Sequence, residues 1–150
     1  MTVFTAADQL TAVLGEKLGP TPWFPVEQAR VDGFAEITED HQWLHVDRER
    51  AAAGPFGGTI SHGLLTLSLV PRFGAMLFRL EFGSARINYG LNKVRFPSPV
   101  PVGARLRAQA QLLSFDPAPQ GDLLTTRYTI EIENVAKPAC VAETLTLLLP

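Results

Sequence analysis

Asp40-His41-Gln42-Trp43-Leu44-His45 puts a carboxylate, two imidazoles and an amide into six consecutive residues, and the only other histidine of the chain, His62, follows shortly after. A carboxylate and an imidazole that share one water form an acid and base pair whose work is proton transfer. Asp40 and His45 are too far apart to be neighbours on one strand face and slightly more than one helical turn apart, so a loop must bring them together. The plainer alternative is that Asp40 solvates a helix end and His45 is simply packed. A metal reading uses the HxxxH spacing of His41 and His45, with His62, Asp40 and Asp47 as further ligands. Gln42 stands where the HExxH pattern needs its glutamate, so the expectation is no metal and no cofactor. Ser61, Ser68, Ser84, Ser98 and Ser114 lie outside any GxSxG, which argues against a serine hydrolase. Gly63 opens an apolar helical stretch. The first N–H groups of a helix are unpaired, and a residue without a side chain lets a ligand carbonyl approach them. Glycine placed there only to avoid a clash with the preceding loop is the competing explanation.

Stepping outward, these residues need elements to hold them. Thr5-Ala-Ala-Asp8 reads as a capped helix start, with Leu10, Val13, Leu14 and Leu18 at helical spacing up to Gly19-Pro20. "PWFPVEQARV" (22–31) reads as a short edge strand interrupted by prolines. Asp32 then caps a brief helix, "GFAEITED", which delivers Asp40 to its C-terminal end. "AAAGPFGGTI" (51–60) carries too many breakers for a regular element and reads as a loop. "SHGLLTLSLVPRFGAMLFRL" (61–80) is apolar on nearly every side, which predicts a helix buried all round and kinked at Pro71. The remainder alternates: in "RLRAQAQL" Leu106, Ala108, Ala110 and Leu112 interleave with Arg and Gln, and "TRYTIEIE" follows the same pattern. Four long antiparallel strands are expected. The fold class is therefore α+β, a curled antiparallel sheet around a long apolar helix, with edges that a second copy can extend into a homodimer.

Composition sets the frame. At 150 residues the chain is long enough for one domain, 1–150, with a real core. The start "MTVFTAADQLTAVLGEKLG" lacks a basic n-region and a cleavage site, and no apolar run reaches a membrane span, so a soluble, unexported, cytoplasmic protein is expected, without a membrane partner. One cysteine, Cys140, excludes an internal disulfide and reads as a small buried hydrophobe. A net charge of -2 without a Lys or Arg run leaves no footprint for nucleic acid.

"FAEITEDHQWLHVD" resembles the hydratase motif of the MaoC-like, (R)-specific enoyl-CoA hydratases, and "GPFGGTISHGLLTLSL" resembles the loop and helix start that follow it there. "NYGLNKVRFPSPVPVG" (88–103) is similar to the family's next segment, so the likeness runs in order from about residue 26 onward. The family's core is Asp-x-Asn-Pro-x-His; here Asp40 and His45 are kept, with Gln42 and Trp43 between them. The resemblance implies a hot dog fold and a dimer with its site near the subunit interface. It also implies an Asp40 and His45 catalytic dyad and a Gly63 N–H that receives the thioester oxygen. The implied reaction is reversible hydration of a trans-2-enoyl-CoA to an (R)-3-hydroxyacyl-CoA, within fatty acid metabolism. Lys93 and Arg95, alternate residues of one strand, are candidates for the CoA phosphates, as is Arg86 on the other parity; the alternative for all three is a solvated strand charge. A hot dog acyl-CoA thioesterase and a non-catalytic acyl-CoA binding domain are the rival readings.

Overall fold

The computed structural model describes residues 1–150. The C-terminal half forms four long strands as its alternation demands: β5 (Ala85–Arg95), β6 (Arg105–Ala118), β7 (Gly121–Ile132) and β8 (Cys140–Leu149). Before them come β1 (Thr2–Phe4), α1 (Ala7–Thr11), β2 (Lys17–Leu18), β3 (Phe24–Pro25), α2 (Gln28–Thr38), α3 (Trp43–Val46), α4 (Arg48–Ala52), α5 (Gly63–Ser68), α6 (Val70–Leu77) and β4 (Phe78–Leu80). The main sheet runs β2-β6-β7-β8-β5 and is antiparallel throughout, with β3 also on β6. Register is reinforced on the outer face by cross-strand charge pairs. Arg107 meets Glu131 at 2.6 Å, Arg127 meets Glu143 at 2.7 Å, and Arg105 meets Glu133.

The inner face carries Leu106, Ala108, Ala110, Tyr128, Ile130, Cys140 and Ala142, all buried. Small residues at its centre let α6 come close, and Phe73, fully buried, fills the space they leave. Gly74 is needed at this crossing, since a Cβ there would stand 2.7 Å from the Tyr128 hydroxyl oxygen. A helix lying in a curled antiparallel sheet is the hot dog arrangement. No helix is long and apolar enough to cross a membrane.

Several local expectations are corrected. The helical run begun at Gly63 breaks at Leu69, two residues before Pro71, because proline has no N–H to give the Leu67 carbonyl. Its last residues, Phe78–Leu80, leave the helix and pair in parallel with β1. Within one chain the helix is buried on one face only: Leu65, Leu69, Phe73 and Leu77 face the sheet, whereas Leu64 is 60% exposed and Met76 38%. The first helix is only five residues long, without a side-chain cap, and Leu18 pairs with Ala110 in the sheet. The strand expected over 22–31 is two residues long, and α2 starts at Gln28, ahead of the Asp32 cap that the sequence suggested. In the expected loop 51–60, the first two residues close α4.

Candidate active site

Asp40 follows α2 through a tight reversal: Glu39 adopts the left-handed conformation at φ 58°, which turns the chain out of the helix. Gln42 then opens α3, which carries His45 on its buried side. Trp43 braces this short helix from outside, with the Arg50 guanidinium 4.4 Å from its ring and Gly54 fitted against its edge. Gln28 ties the pieces together. Its amide nitrogen donates to the His45 carbonyl at 2.8 Å and to Asp32 at 2.7 Å, and its oxygen accepts from the Thr59 hydroxyl.

The His45 ring is oriented by the strip around Ile60. The Ile60 N–H donates to the Leu44 carbonyl, and Ser61 and Thr59 bond to Val100 and Val102 on the other side. The Ile60 carbonyl lies 2.7 Å from His45 Nδ1. A carbonyl only accepts, so Nδ1 carries the hydrogen and Nε2 is left with a free lone pair.

His62 completes the cluster. Its ring is stacked on that of His45, centroids 3.7 Å apart, and packs against Phe34 on another side. Its Nε2 donates to the Asp40 carbonyl at 3.0 Å and is 3.9 Å from the Asp40 carboxylate. Asp40, His45 and His62 each offer an atom within 4.8 Å of the others, a span that one bridging water closes. The same trio is a conceivable cation set. With His45 Nδ1 and His62 Nε2 both committed to carbonyls, the carboxylate and His45 Nε2 remain as the outward lone pairs, fewer than the three protein ligands of a catalytic zinc. Of the other residues in the metal reading, His41 turns toward Glu36 and Asp47 caps α4 by accepting the Arg50 N–H.

Gly63, the first residue of α5, shares with His45 a cavity of about 340 Å³ walled by Phe56, Ile60, Phe96 and Val100. The His62 carbonyl is drawn into α5 by the Thr66 N–H at 3.2 Å and is also met by the Ser61 and Thr66 hydroxyls. Because C=O and N–H of a trans peptide point opposite ways, the Gly63 N–H is aimed out of the helix. The absent side chain matters here, since a Cβ would sit 3.1 Å from the Phe96 ring.

Lys93 and Arg95 are brought together with each other but not with this cavity. Both are exposed on the outer sheet face beside Arg127 and Glu143, while Val94 between them packs on the core. Arg86 is occupied otherwise: its guanidinium donates to the carbonyls of Leu80 and Phe82, clipping the turn before β5. A larger hollow, about 670 Å³, lies beside Trp23 on the outer sheet face, but its charged groups Arg107, Glu131 and Glu133 are all engaged in cross-strand pairs. Sequence reasoning missed Gln28, which carried no motif, and treated His62 only as a metal ligand. The adjacency of His62 to Gly63 was the available signal.

Residues 9–133 match the model of the MaoC like domain family. The chain is 49% identical over 146 residues to 3-hydroxyacyl-thioester dehydratase Z of Mycobacterium tuberculosis, covering 97% of each protein. It is 43% identical over 141 residues to nodulation protein N of Rhizobium leguminosarum bv. viciae, covering 90% of this chain and 86% of that one. Among solved structures it resembles the (R)-hydratase from A. caviae involved in PHA biosynthesis, with a TM-score of 0.73 and 25% identity over 90% of this chain and 96% of that one. A hot dog fold, a matched family model and a 49% identical relative along nearly the whole length lead to one conclusion: the chain belongs to the MaoC-like dehydratase family.

Proposed function

We infer that the protein is an (R)-specific enoyl-CoA hydratase that adds water to a trans-2-enoyl-CoA and, in reverse, dehydrates the (R)-3-hydroxyacyl-CoA. The observation that supports this reading is that His45 and Gly63 line one cavity while a carboxylate oxygen of Asp40, which does not itself line it, lies within 4.8 Å of a His45 ring nitrogen. The relative named a 3-hydroxyacyl-thioester dehydratase and the solved (R)-hydratase support the same chemistry. The thioester oxygen accepts from Gly63 N–H, which stabilises the enolate formed as water oxygen bonds to C3. The Asp40 carboxylate and His45 Nε2 hold that water, take one of its protons and return a proton to C2, so the elements of water are conserved across the double bond. The apolar walls of the cavity suit an acyl chain. CoA phosphates reach Lys93 and Arg95 in this reading only by leaving the cavity and passing to the outer sheet face.

A homodimer belongs to the same proposal. The free edge of β5 leaves Ile87 46%, Tyr89 65% and Leu91 49% exposed; a second copy covering this edge would bury them. A cytoplasmic location accords with Cys140, which is free and buried. The test is to incubate the protein with crotonyl-CoA and follow both the conjugated enoyl absorbance and free thiol. Loss of absorbance without thiol release is expected; stoichiometric thiol release would replace the hydratase by a thioesterase. Sedimentation at micromolar concentration should give twice the chain mass, and a monomer there would remove the dimer.

A further inference from the structure

His62 has no place in the acid and base scheme, yet it is among the most constrained side chains of the molecule. It is 3% exposed, and its Nδ1 is the buried side-chain atom without a hydrogen-bond partner. An apolar side chain would pack here without burying an unpaired nitrogen, so packing alone does not account for an imidazole. What only the imidazole supplies is the Nε2 hydrogen given to the Asp40 carbonyl at 3.0 Å. That bond falls one residue beyond Glu39, whose left-handed φ of 58° a non-glycine residue adopts at a cost. The reversal that presents Asp40 is therefore pinned from the far side of the site.

The other contacts of His62 reach the remaining reacting groups. Its ring backs the His45 ring at 3.7 Å, at an interplanar angle of 27°. Its carbonyl, held by Thr66 and Ser61, sets the peptide plane whose other end is the Gly63 N–H. Asp40, His45 and Gly63 lie on three different segments, and His62 touches or adjoins all of them.

From this we propose that His62 is a positioning residue that sets Asp40 and His45 relative to the Gly63 N–H through its Nε2–H bond and its stacked ring. The inference rests on the hydratase reading for its kinetic consequence, while the pinning of Asp40 is a property of the fold. Because misplacing a reacting group by about 1 Å costs up to roughly a hundredfold in rate, loss of the pin should act on kcat. His62→Phe keeps the ring and removes the donor; His62→Gln returns an N–H to nearly the Nε2 position without the ring.

The experiment is steady-state hydration of crotonyl-CoA by the parent and both variants, with thermal melts and 15N NMR of the histidine rings. For His62→Phe, kcat should fall about tenfold to a hundredfold with KM within about threefold, in a protein that the melt shows to be folded at the assay temperature. His62→Gln should recover part of the lost kcat. A His62→Phe protein with kcat within threefold of the parent, or one altered only in KM, overturns the proposal. The NMR arm uses the parent alone and so survives a variant that fails to fold. It should find His62 hydrogenated on Nε2 and His45 on Nδ1, and a His62 ring hydrogenated on Nδ1 overturns the pin. An inactive parent with the expected ring tautomers would reject the hydratase reading and leave the Asp40 pin standing.

Discussion

Replacing Asp40 by asparagine separates chemistry from scaffolding. The Asp40 side chain is 52% exposed and accepts no hydrogen bond within the chain; His62 Nε2 lies 3.9 Å from its carboxylate. It caps no helix, since Gln42 occupies the N-cap of α3. A half-exposed side chain that makes no hydrogen bond contributes little, and asparagine preserves its shape, so the stability change should stay within about 0.5 kcal/mol. For a chain of this size that corresponds to a Tm shift of about 2 °C or less. Loss of a proton acceptor from an acid and base pair costs about a hundredfold to ten-thousandfold, or roughly 3–5 kcal/mol of barrier. The two effects therefore differ by several-fold in energy and cannot be confused. The assay is kcat for crotonyl-CoA hydration beside a thermal melt. His45→Gln should lose a similar share of activity, with some loss of stability because the buried ring stacks on His62 and bonds the Ile60 carbonyl. The double variant should lose much less activity than the product of the single losses, because both groups act on one water. A folded Asp40→Asn protein with at least a third of the parental activity would refute the reasoning and turn attention to a binding role.

Gly63→Pro suits the backbone, since proline is favoured at the first helical position and His62 already has φ -58° and ψ 137°. Its Cβ, 3.1 Å from the Phe96 ring, must push that ring back, so activity is read beside a thermal melt. Without the N–H, turnover should drop about a hundredfold to a thousandfold, and parental activity in a folded variant contradicts the oxyanion role. Lys93→Ala with Arg95→Ala should raise KM for enoyl-CoA, with little effect on kcat, if these exposed cations meet the CoA phosphates; equal KM for the variant and parent removes them from the site. Burial pushes the Cys140 thiol from near 9 up to about 11, so as pH rises through that window the unfolded chain releases its proton first and the folded state loses stability. Burial raises the Tyr128 phenol in the same direction. Denaturant midpoints taken across the window should decline, and less steeply in Cys140→Ala; identical slopes in the two proteins contradict the assignment to Cys140.

The sheet was legible because its signal is local: alternation in "RLRAQAQL" and "TRYTIEIE" maps directly onto buried Leu106, Ala108, Ala110 and Leu112 facing Tyr128 and Ile130. The N-terminal third was not, because tertiary partners decide it. Val31, Phe34 and Ala35 have helical spacing, but the prolines at 22 and 25 and the polar Asp32 divide the pattern, and the true start at Gln28 is stabilised by bonds to His45 and Thr59 far along the chain. Leu18 continues the spacing of Leu10 and Leu14, yet pairing with Ala110 on β6 claims it. The helix 63–77 looked buried all round because its residues are apolar all round, while a single chain covers only one side of it. At the site, Asp40, His45 and Gly63 were pointed to by the likeness of their segments to a family motif rather than by spacing alone. For His62 only its adjacency to Gly63 was a signal, since its stack on His45 and its bond to a backbone carbonyl are encoded in no spacing.

The central claim is most directly tested by the stereochemistry of the product. Crotonyl-CoA incubated with the protein should lose its conjugated absorbance and yield 3-hydroxybutyryl-CoA of the (R) configuration, with (R)-3-hydroxybutyryl-CoA returning crotonyl-CoA in the reverse direction. Formation of the (S) product, or no hydration by the folded protein across short, medium and long enoyl-CoAs, would contradict the account.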